Sequence, residues 1–171
     1  ADLTLTLESL TSKYNGSFHE GAVAAVKAAL ASLQPATAKA GRAVDGRIAF
    51  NRRFVFRDGT ANMHPGTCYS QVLCAEGPAD PEVGMVVFED SRNKAIAALL
   101  HFTSHPCHGY AHRWIHPDWP GAWGDGIRTL LGEQCIPVVV NGFCGNIHHA
   151  DHNHPTQQKE DTIEHMAGLL M

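Results

Sequence analysis

The chain has 171 residues, a length that suits one well-packed domain better than two. Its hydrophobic content of 44% and charged content of 18% are typical of a globular protein. The net charge of -4, without a run of lysines and arginines, gives no electrostatic basis for binding nucleic acid. No apolar run approaches the roughly 18 residues of a membrane-spanning helix, and the first residues do not resemble a signal peptide. Because a mature secreted protein also lacks that peptide, the cellular location stays open.

Five cysteines are present, and none of them forms a CxxC pair with another. An odd number with this spacing fits neither a disulfide framework nor a zinc knuckle, so free thiols, buried or partly buried, are predicted. Cys68 and Cys74 are close enough in sequence to close a small disulfide loop, which is the alternative for that pair.

The first predicted elements are a helix and a strand. In FHEGAVAAVKAALASLQP the apolar residues recur at helical spacing, and Pro35 ends the helix. GRIAFNRRFVFRDGT then changes to period two, which predicts a strand with one apolar row. That row consists of Ile48, Phe50, Phe54 and Phe56. Asp58 and Gly59 predict a turn, and residues 60–82, which contain several glycines and prolines, are predicted to be a loop.

Arg52 lies in the apolar row of this strand, at a position where an apolar side chain is expected. A buried guanidinium is costly unless it meets an anion or several hydrogen-bond acceptors. Arg52 is therefore a candidate functional residue. The alternative is an arginine that extends its charged end to solvent or lies beside a β-bulge.

Strands and helices alternate in the rest of the chain. VGMVVFED and AIAALLHFTSH are predicted strands joined by the turn DSRNK, and DWPGAWGDGIRTLLGEQ is a predicted helix with Asp118 and Pro120 at opening positions. CIPVVVNGF is predicted to be a short strand buried on both faces, and QQKEDTIEHMAGLLM begins a last helix. The pattern predicts a single α/β domain over residues 1–171, with a mixed sheet flanked by helices.

Histidines are concentrated in one part of the chain, where nine of the twelve lie between residues 101 and 154. The upstream group repeats at intervals of four, three, four and four, which imitates one face of a helix. Its members are His101, His105, His108, His112 and His116. A proline and a glycine between them interrupt a helix. We predict instead that a buried strand ends near Ser104 and leaves His105 at its C-terminal tip, where α/β proteins tend to place their chemistry.

The downstream group of polar residues follows the predicted strand CIPVVVNGF and a glycine-containing turn. It consists of His148, His149, Asp151, His152 and His154. Two strand ends that each release histidines are expected to meet at one pocket. Imidazole is the commonest nitrogen ligand of zinc and the usual general base near neutral pH. The alternation in HHADHNH is compatible with His148 facing inward and His149 outward, and the alternative for the whole group is a solvated polar loop.

Short segments of the chain occur in the order found in the neutral and alkaline ceramidase family, zinc-dependent amidases that split the N-acyl bond of ceramide. The segments, which together span most of the chain, are FNRR, DGT, DPEVGMVVFED, HFTSHPCHG, PDWPG and VVVNGFCGNI. The chain resembles an internal segment of the N-terminal catalytic domain of such an enzyme. The upstream His-x-His zinc motif of the family is absent here, and the family draws a Glu and a Tyr zinc ligand from further downstream than this sequence extends.

The resemblance implies a zinc cofactor and assigns positions to several residues. His105, in SHP, matches the second zinc-binding histidine of the family, and Arg52, in FNRR, matches the arginine that reaches the carbonyl region of the substrate. Asp118 and Gly121 match a turn near the site, without an assigned role. His148 stands where the ceramidases have their active-site serine, so the chain resembles most the ceramidase-like relatives that lack this serine.

The roles that these residues would fill in amide hydrolysis do not require a serine nucleophile. Zinc held by nitrogen ligands lowers the pKa of its water towards ~7, an arginine opposite the metal stabilises an oxyanion, and a histidine beside the water moves protons. We predict a zinc-dependent hydrolase of a small-molecule or lipid amide, with His105 as a metal ligand, Arg52 and His148 as catalytic residues, and the remaining parts of the same polypeptide as partners.

Two alternatives to this function stay open. One is a non-catalytic binding or structural protein that keeps the ceramidase-like fold. The other is a different metallohydrolase, in which Asp151 and the loop from His148 to His154 bind a second ion. The resemblance also implies a secreted or periplasmic location, and the oligomeric state stays open.

Overall fold

A computed structural model of the protein describes residues 7–66, 69–110, 115–153 and 162–171. Side chains are described for these residues except 7–13 and Tyr69. Contacts between residues divide the chain into two compact units, one that ends at Pro35 and one that spans Ala36–Met171. The second unit contains all the described residues that the sequence identifies as site candidates.

The first unit is built on one long helix, α1 (Leu7–Ala31). The predicted helix is confirmed, although it begins before the FHEG segment and ends at Ala31, four residues ahead of the proline. Its described side chains are exposed, and the rings of Tyr14 and Phe18 stack with their centroids 6.4 Å apart. Among the helices that the structure describes, none is long and apolar enough to cross a membrane.

The second unit consists of short strands and two further helices. The strands are β1 (Thr37–Val44), β2 (Phe50–Asn51), β3 (Arg53–Phe56), β4 (Ala61–Met63), β5 (Val72–Ala75), β6 (Glu82–Glu89), β7 (Ala95–Phe102), β8 (Ile136–Asn141) and β9 (Ile147–His148). The helices are α2 (Asp118–Leu131) and α3 (Ile163–Leu170), and a short 3-10 helix (Tyr69–Gln71) precedes β5.

The main sheet has four strands in the order β1-β6-β7-β8. β6 is antiparallel to both β1 and β7, and the DSRNK turn joins β6 to β7 as the sequence predicts. β8 is parallel to β7, and α2 lies between them in the chain as the crossover that a parallel pair requires. The sheet is therefore mixed and flanked by helices, which confirms the predicted α/β class.

One face of the main sheet carries the core. Trp119, Trp123 and Ile127 recur at intervals of four along α2, which places all three on the helix face that packs inward. They are fully or almost fully buried, together with Leu100 and Phe102 of β7. Because side chains alternate between the faces of a strand, these two residues of β7 point to the same side of the sheet.

The other face of the main sheet is open within the part of the chain that the structure describes. Ile136, Val138 and Val140 of β8 are 62%, 48% and 43% exposed, and Leu99 of β7 is 38% exposed. The prediction that β8 is buried on both faces is therefore wrong. A continuous apolar run does not distinguish a strand covered on both sides from one covered on a single side.

The predicted strand around Arg52 is split into two strands by that residue. β2 ends at Asn51 and β3 begins at Arg53, so only part of the expected apolar row forms, with Phe54 buried in it. The prediction of a loop over residues 60–82 is wrong in part, since β4 and β5 pair with the two edges of β3. The predicted turn before β4 is present, with Gly59 at a positive φ of 84°.

The cysteines that the structure describes are Cys74, Cys107, Cys135 and Cys144, and no two of these four are joined by a disulfide. This agrees with the prediction of free thiols for these positions. Cys68 lies outside the described residues, so the alternative disulfide with Cys74 involves a residue about which the structure says nothing.

Candidate functional site

Two short strands that are distant in sequence bring Arg52 close to His148. β9 lies antiparallel to β2, with His148 opposite Phe50. Arg52 continues this pairing past the end of β2, because its backbone N–H donates to the carbonyl oxygen of Asn146 at 2.8 Å. The arginine and the histidine proposed for catalysis therefore belong to one small piece of structure.

The guanidinium of Arg52 is held against the turn that precedes β9. Its Nη2 donates to the carbonyl oxygen of Gly145 at 2.7 Å, and its Nη1 lies 3.4 Å from Nε2 of His64. The Nε of Arg52 is buried and has no hydrogen-bond partner among the described residues. The guanidinium is thus fixed in position by a carbonyl group while it keeps hydrogen-bonding capacity for a further acceptor.

His148 is an uncharged imidazole in this environment. Burial, and then the neighbouring rings of His149, His64 and His152 and the guanidinium of Arg52, lower its pKa to about 3. Its Nδ1 accepts a hydrogen bond from the backbone N–H of Ala150 at 3.0 Å. Since a neutral imidazole carries one proton, that proton lies on Nε2.

His64 is a member of this histidine cluster that the sequence analysis missed. Its Nδ1 lies 2.9 Å from Nε2 of His152, and its ring centroid lies 5.1 Å from that of His148. Burial and the charge of Arg52 lower the pKa of His64. The Asp-Gly turn was the available signal, because a hairpin closed there brings His64 opposite Arg52, whose carbonyl oxygen accepts its N–H at 2.9 Å.

His105 lies three residues beyond the end of β7, after Thr103 and Ser104, which are both buried. This agrees with a strand that ends near Ser104. The backbone N–H of His105 donates to the carbonyl oxygen of Ile147 at 3.3 Å, and its Nδ1 lies 3.7 Å from Sγ of Cys144. Residues 103–110 and 115–117 form no helix, so the helical interpretation of the upstream histidines fails over the described part of that segment.

Cys107, two residues after His105, lies close to His148 and His149, so three potential metal donors come together. One potential ligand atom from each of Cys107, His148 and His149 lies within 4.8 Å of the other two, and all three residues are partly buried. The rings of His148 and His149 stack with centroids 4.1 Å apart, so the two side chains lie on the same side. The suggested inward and outward alternation does not hold, because β9 ends at His148 and its period of two goes no further.

A buried aspartate, Asp118, contacts this cluster through His108. Oδ2 of Asp118 accepts the N–H of Gly109 at 3.0 Å, and Oδ1 accepts the N–H of Trp119 at 2.8 Å. Nδ1 of His108 lies 3.2 Å from Oδ1 of Asp118, and the ring of His108 stacks on His149 with centroids 3.6 Å apart. Burial raises the pKa of Asp118, but these hydrogen bonds outweigh burial, so its pKa is lower than usual.

A cavity of about 640 Å³ opens where β7 and β8 end. His101 and Thr103 line it from β7 and the residue after it, and Asn141 and Asn146 line it from the end of β8 and the turn that follows. The two predicted strand ends therefore do meet at a pocket. Neither of the described residues His105 and His148 is among the lining residues, so the cavity is beside the histidine cluster rather than inside it.

Some predicted site residues lie outside the described part of the chain. His112 and His154 are in this group, so the two histidine-rich segments are described only in part. Asp151 and His152 are described and partly buried, and burial is the main cause of the lowered pKa of His152. The Nδ1 of His116 accepts the N–H of Asp118 at 3.0 Å, which ties the end of the upstream segment to the start of α2.

Two solved structures resemble this fold. The crystal structure of neutral ceramidase from Pseudomonas aeruginosa matches 86% of this chain with a TM-score of 0.61 and 17% sequence identity. A structure described as ceramidase complexed with C2 matches 83% of the chain with a TM-score of 0.60 and 17% identity. The sequence matches no protein-family model and no curated protein.

These likenesses establish a ceramidase-like fold for the chain. At 17% identity they concern the fold alone. The matched region corresponds to 23% and 22% of the lengths of the two ceramidases, so the chain spans less than a quarter of either protein.

Proposed function

We propose that this chain is part of a zinc-dependent hydrolase that cleaves an amide, or N-acyl, bond. The observation that carries the proposal is the meeting of Arg52 and His148 on the β2–β9 pair, next to side chains that suit a metal ion. The ceramidase-like fold supports the class of substrate, a small-molecule or lipid amide. The rest of the polypeptide is expected to complete the site.

Arg52 is the proposed anion-stabilising group. Amide hydrolysis places negative charge on the former carbonyl oxygen, and donors that are already fixed in position stabilise that charge best. One end of the guanidinium is anchored by the carbonyl group of Gly145, and its buried Nε is not used by any described residue. A planar guanidinium also presents two parallel donors, which a lysine does not.

His148 is proposed to act at the reaction centre as a neutral imidazole. A pKa of about 3 means that very little of the ring is protonated near neutral pH, so it is not a ready source of protons. The neutral ring offers a hydrogen-bond donor at Nε2 while Ala150 occupies Nδ1. We therefore propose that His148 orients the substrate through Nε2, rather than moving protons as the sequence analysis predicted.

His105 is the proposed zinc ligand of the reaction. Its ring approaches the sulfur of Cys144, and its backbone is tied to Ile147, the residue next to His148. The ring nitrogen of His105 and the sulfur of Cys144 are both donor atoms that suit zinc. When bound, zinc activates water and polarises a carbonyl group.

A pair of neighbouring arginines gives the test of this proposal. Arg52→Lys keeps the charge but removes the planar pair of donors, so the rate of hydrolysis of an N-acyl substrate should fall about 10²-fold, the usual cost of losing an oxyanion donor. Arg53→Lys is the matched control, because Arg53 lies on β3 and pairs with Glu76. Its rate should change less than about threefold, as expected for a surface ion pair. Equal rates in the two variants would remove Arg52 from the reaction.

A second function is favoured by one observation. The grouping of Cys107, His148 and His149 agrees with a metallohydrolase in which the segment that begins at His148 holds an ion of its own. In that case the ion bound there, rather than one on His105, would be required for hydrolysis.

A further inference from the structure

We propose that Cys107, His148 and His149 form a transition-metal site of their own, separate from the ion assigned to His105. One sulfur and two ring nitrogens are the potential donors, and all three lie within 4.8 Å of one another. Thiolate together with imidazole is a donor set that zinc and other late transition metals prefer over calcium or magnesium. The site goes beyond the first proposed function, in which Cys107 has no role, and it names the ligands that the second candidate function would use.

The spacing of the donors is close to that of a bound ion. In tetrahedral zinc with bonds of about 2.3 Å to sulfur and 2.0–2.1 Å to nitrogen, two ligand atoms are about 3.3–3.6 Å apart. Atoms at the 4.8 Å limit must therefore approach one another by about 1.5 Å at most, which side-chain rotations supply. Cys107 and His149 lie outside helices and strands.

Backbone hydrogen bonds bring the two segments of the site together before any ion binds. The N–H of His105 donates to the carbonyl oxygen of Ile147 at 3.3 Å, two residues before Cys107 and one before His148. β9 is fixed in turn by its pairing with β2. The meeting of the cysteine with the histidines thus follows from the fold.

A second layer of side chains orients one of the ligands. The ring of His108 stacks on His149 with centroids 3.6 Å apart and lies against the carboxylate of Asp118. That carboxylate is buried and accepts the N–H groups of Gly109 and Trp119. Metal ligands are commonly oriented by such outer groups, and losing one typically weakens metal binding 10–100-fold.

Binding has two chemical consequences that are open to measurement. Cys107 binds as a thiolate, so its thiol bond to hydrogen breaks and one proton passes to solvent for each ion bound. His148 has one nitrogen lone pair, and the N–H of Ala150 uses it at present. An ion at Nδ1 replaces that N–H directly, and an ion at Nε2 moves the ring proton to Nδ1. The Ala150 hydrogen bond is lost in both cases.

The test is titration of the 171-residue chain with cobalt(II), a spectroscopic substitute for zinc. The wild-type chain should bind one ion with the near-ultraviolet absorption that marks a bond between cobalt and sulfur. Cys107→Ser should lose this band and bind cobalt more weakly by on the order of 100-fold or more, since a direct ligand matters at least as much as an outer one. The matched control is Cys74→Ser, which should keep the band because Cys74 is exposed and is not one of the three donors.

Each other outcome is decisive as well. Cobalt bound without the sulfur band, or a band that depends on Cys144 and not on Cys107, overturns the site. If Cys107→Ser does not fold by circular dichroism, wild-type protein still gives the answer. Zinc should shift the amide resonance of Ala150, and an unmoved resonance at saturation overturns the site too. A protein that catalyses zinc-dependent hydrolysis but lacks the Cys107-dependent band defeats the site and keeps the proposed function. A bound ion that depends on Cys107, in a protein that does not hydrolyse the substrate, keeps the site and defeats the proposed function.

Discussion

Replacement of Asp118 by asparagine exchanges one oxygen of the side chain for an NH₂ group. Although the change in size is small, it should destabilise the protein strongly. The carboxylate is 6% exposed and accepts hydrogen bonds from Gly109 and Trp119, with His108 as a third neighbour. In Asp118→Asn one acceptor oxygen becomes an NH₂ group that faces an N–H donor. One charge-assisted hydrogen bond is lost and its donor stays buried, which costs about 2–4 kcal/mol of unfolding free energy.

Urea denaturation at neutral pH measures this loss, and Asp125→Asn is the matched control. Asp125 lies on the same helix, and its side chain is 75% exposed and pairs with Arg128 one turn away. Such a pair contributes about 0.5 kcal/mol or less to the free energy of unfolding. The unfolding free energy of the control should therefore be close to that of the wild type. Equal stability of the two variants would refute the reasoning, because it would mean that the buried hydrogen bonds of Asp118 are not made in solution.

The pH dependence of the same comparison provides an independent check. The pKa of Asp118 is lower in the folded protein than in the unfolded chain, so the ionised carboxylate stabilises the fold. This contribution is complete above the unfolded pKa of about 4, and it is lost as the pH falls through the folded pKa. The difference between wild type and Asp118→Asn should therefore be largest near neutral pH and narrow in acid. A difference that grows as the pH falls would contradict the direction of the shift.

Two further predictions concern the proposed reaction. His148→Ala should lower the rate of N-acyl hydrolysis by roughly 10²-fold, the usual cost of losing a fixed hydrogen-bond donor at the reaction centre. A slow substrate should leave no acyl group on residue 148 by mass spectrometry, and a wild-type rate would mean that the histidine cluster is only a polar loop. In the complete protein, which supplies the other zinc ligands, His105→Ala should lower the zinc content by one ion per chain, as measured by elemental analysis, and an unchanged content would end its assignment as a ligand.

The parts of the fold that the sequence predicts are those with strong local signals. β6 and β7 are apolar runs on either side of a turn, and α2 carries its two buried tryptophans at helical spacing. β1 has no such signal, because all eight of its residues are exposed and it is held by backbone pairing with β6. In its sequence, TAKAGRAV, polar and apolar residues alternate only over TAKA, with alanine as the apolar residue, and Gly41 ends the alternation.

The site is harder to predict because its contacts are long-range. Arg52 stood out locally as a charge in an apolar row, but its approach to Gly145 depends on the β2–β9 pairing, which no local pattern specifies. Cys107 gave no signal either, since a single cysteine without a CxxC partner is usually a free thiol. Only the fold shows that it lies beside His148 and His149.

The most direct measurement of the central claim follows N-acyl hydrolysis while zinc is removed and restored. The protein would be dialysed against a chelator, its zinc content measured, and the rate of acid release from an N-acyl amide recorded as zinc is added back. If the chain belongs to a zinc-dependent amide hydrolase, the rate should fall with the zinc content and return in proportion to the zinc bound. A rate that stays constant while the zinc is removed, or no hydrolysis by zinc-loaded protein that includes the rest of the polypeptide, would contradict the claim.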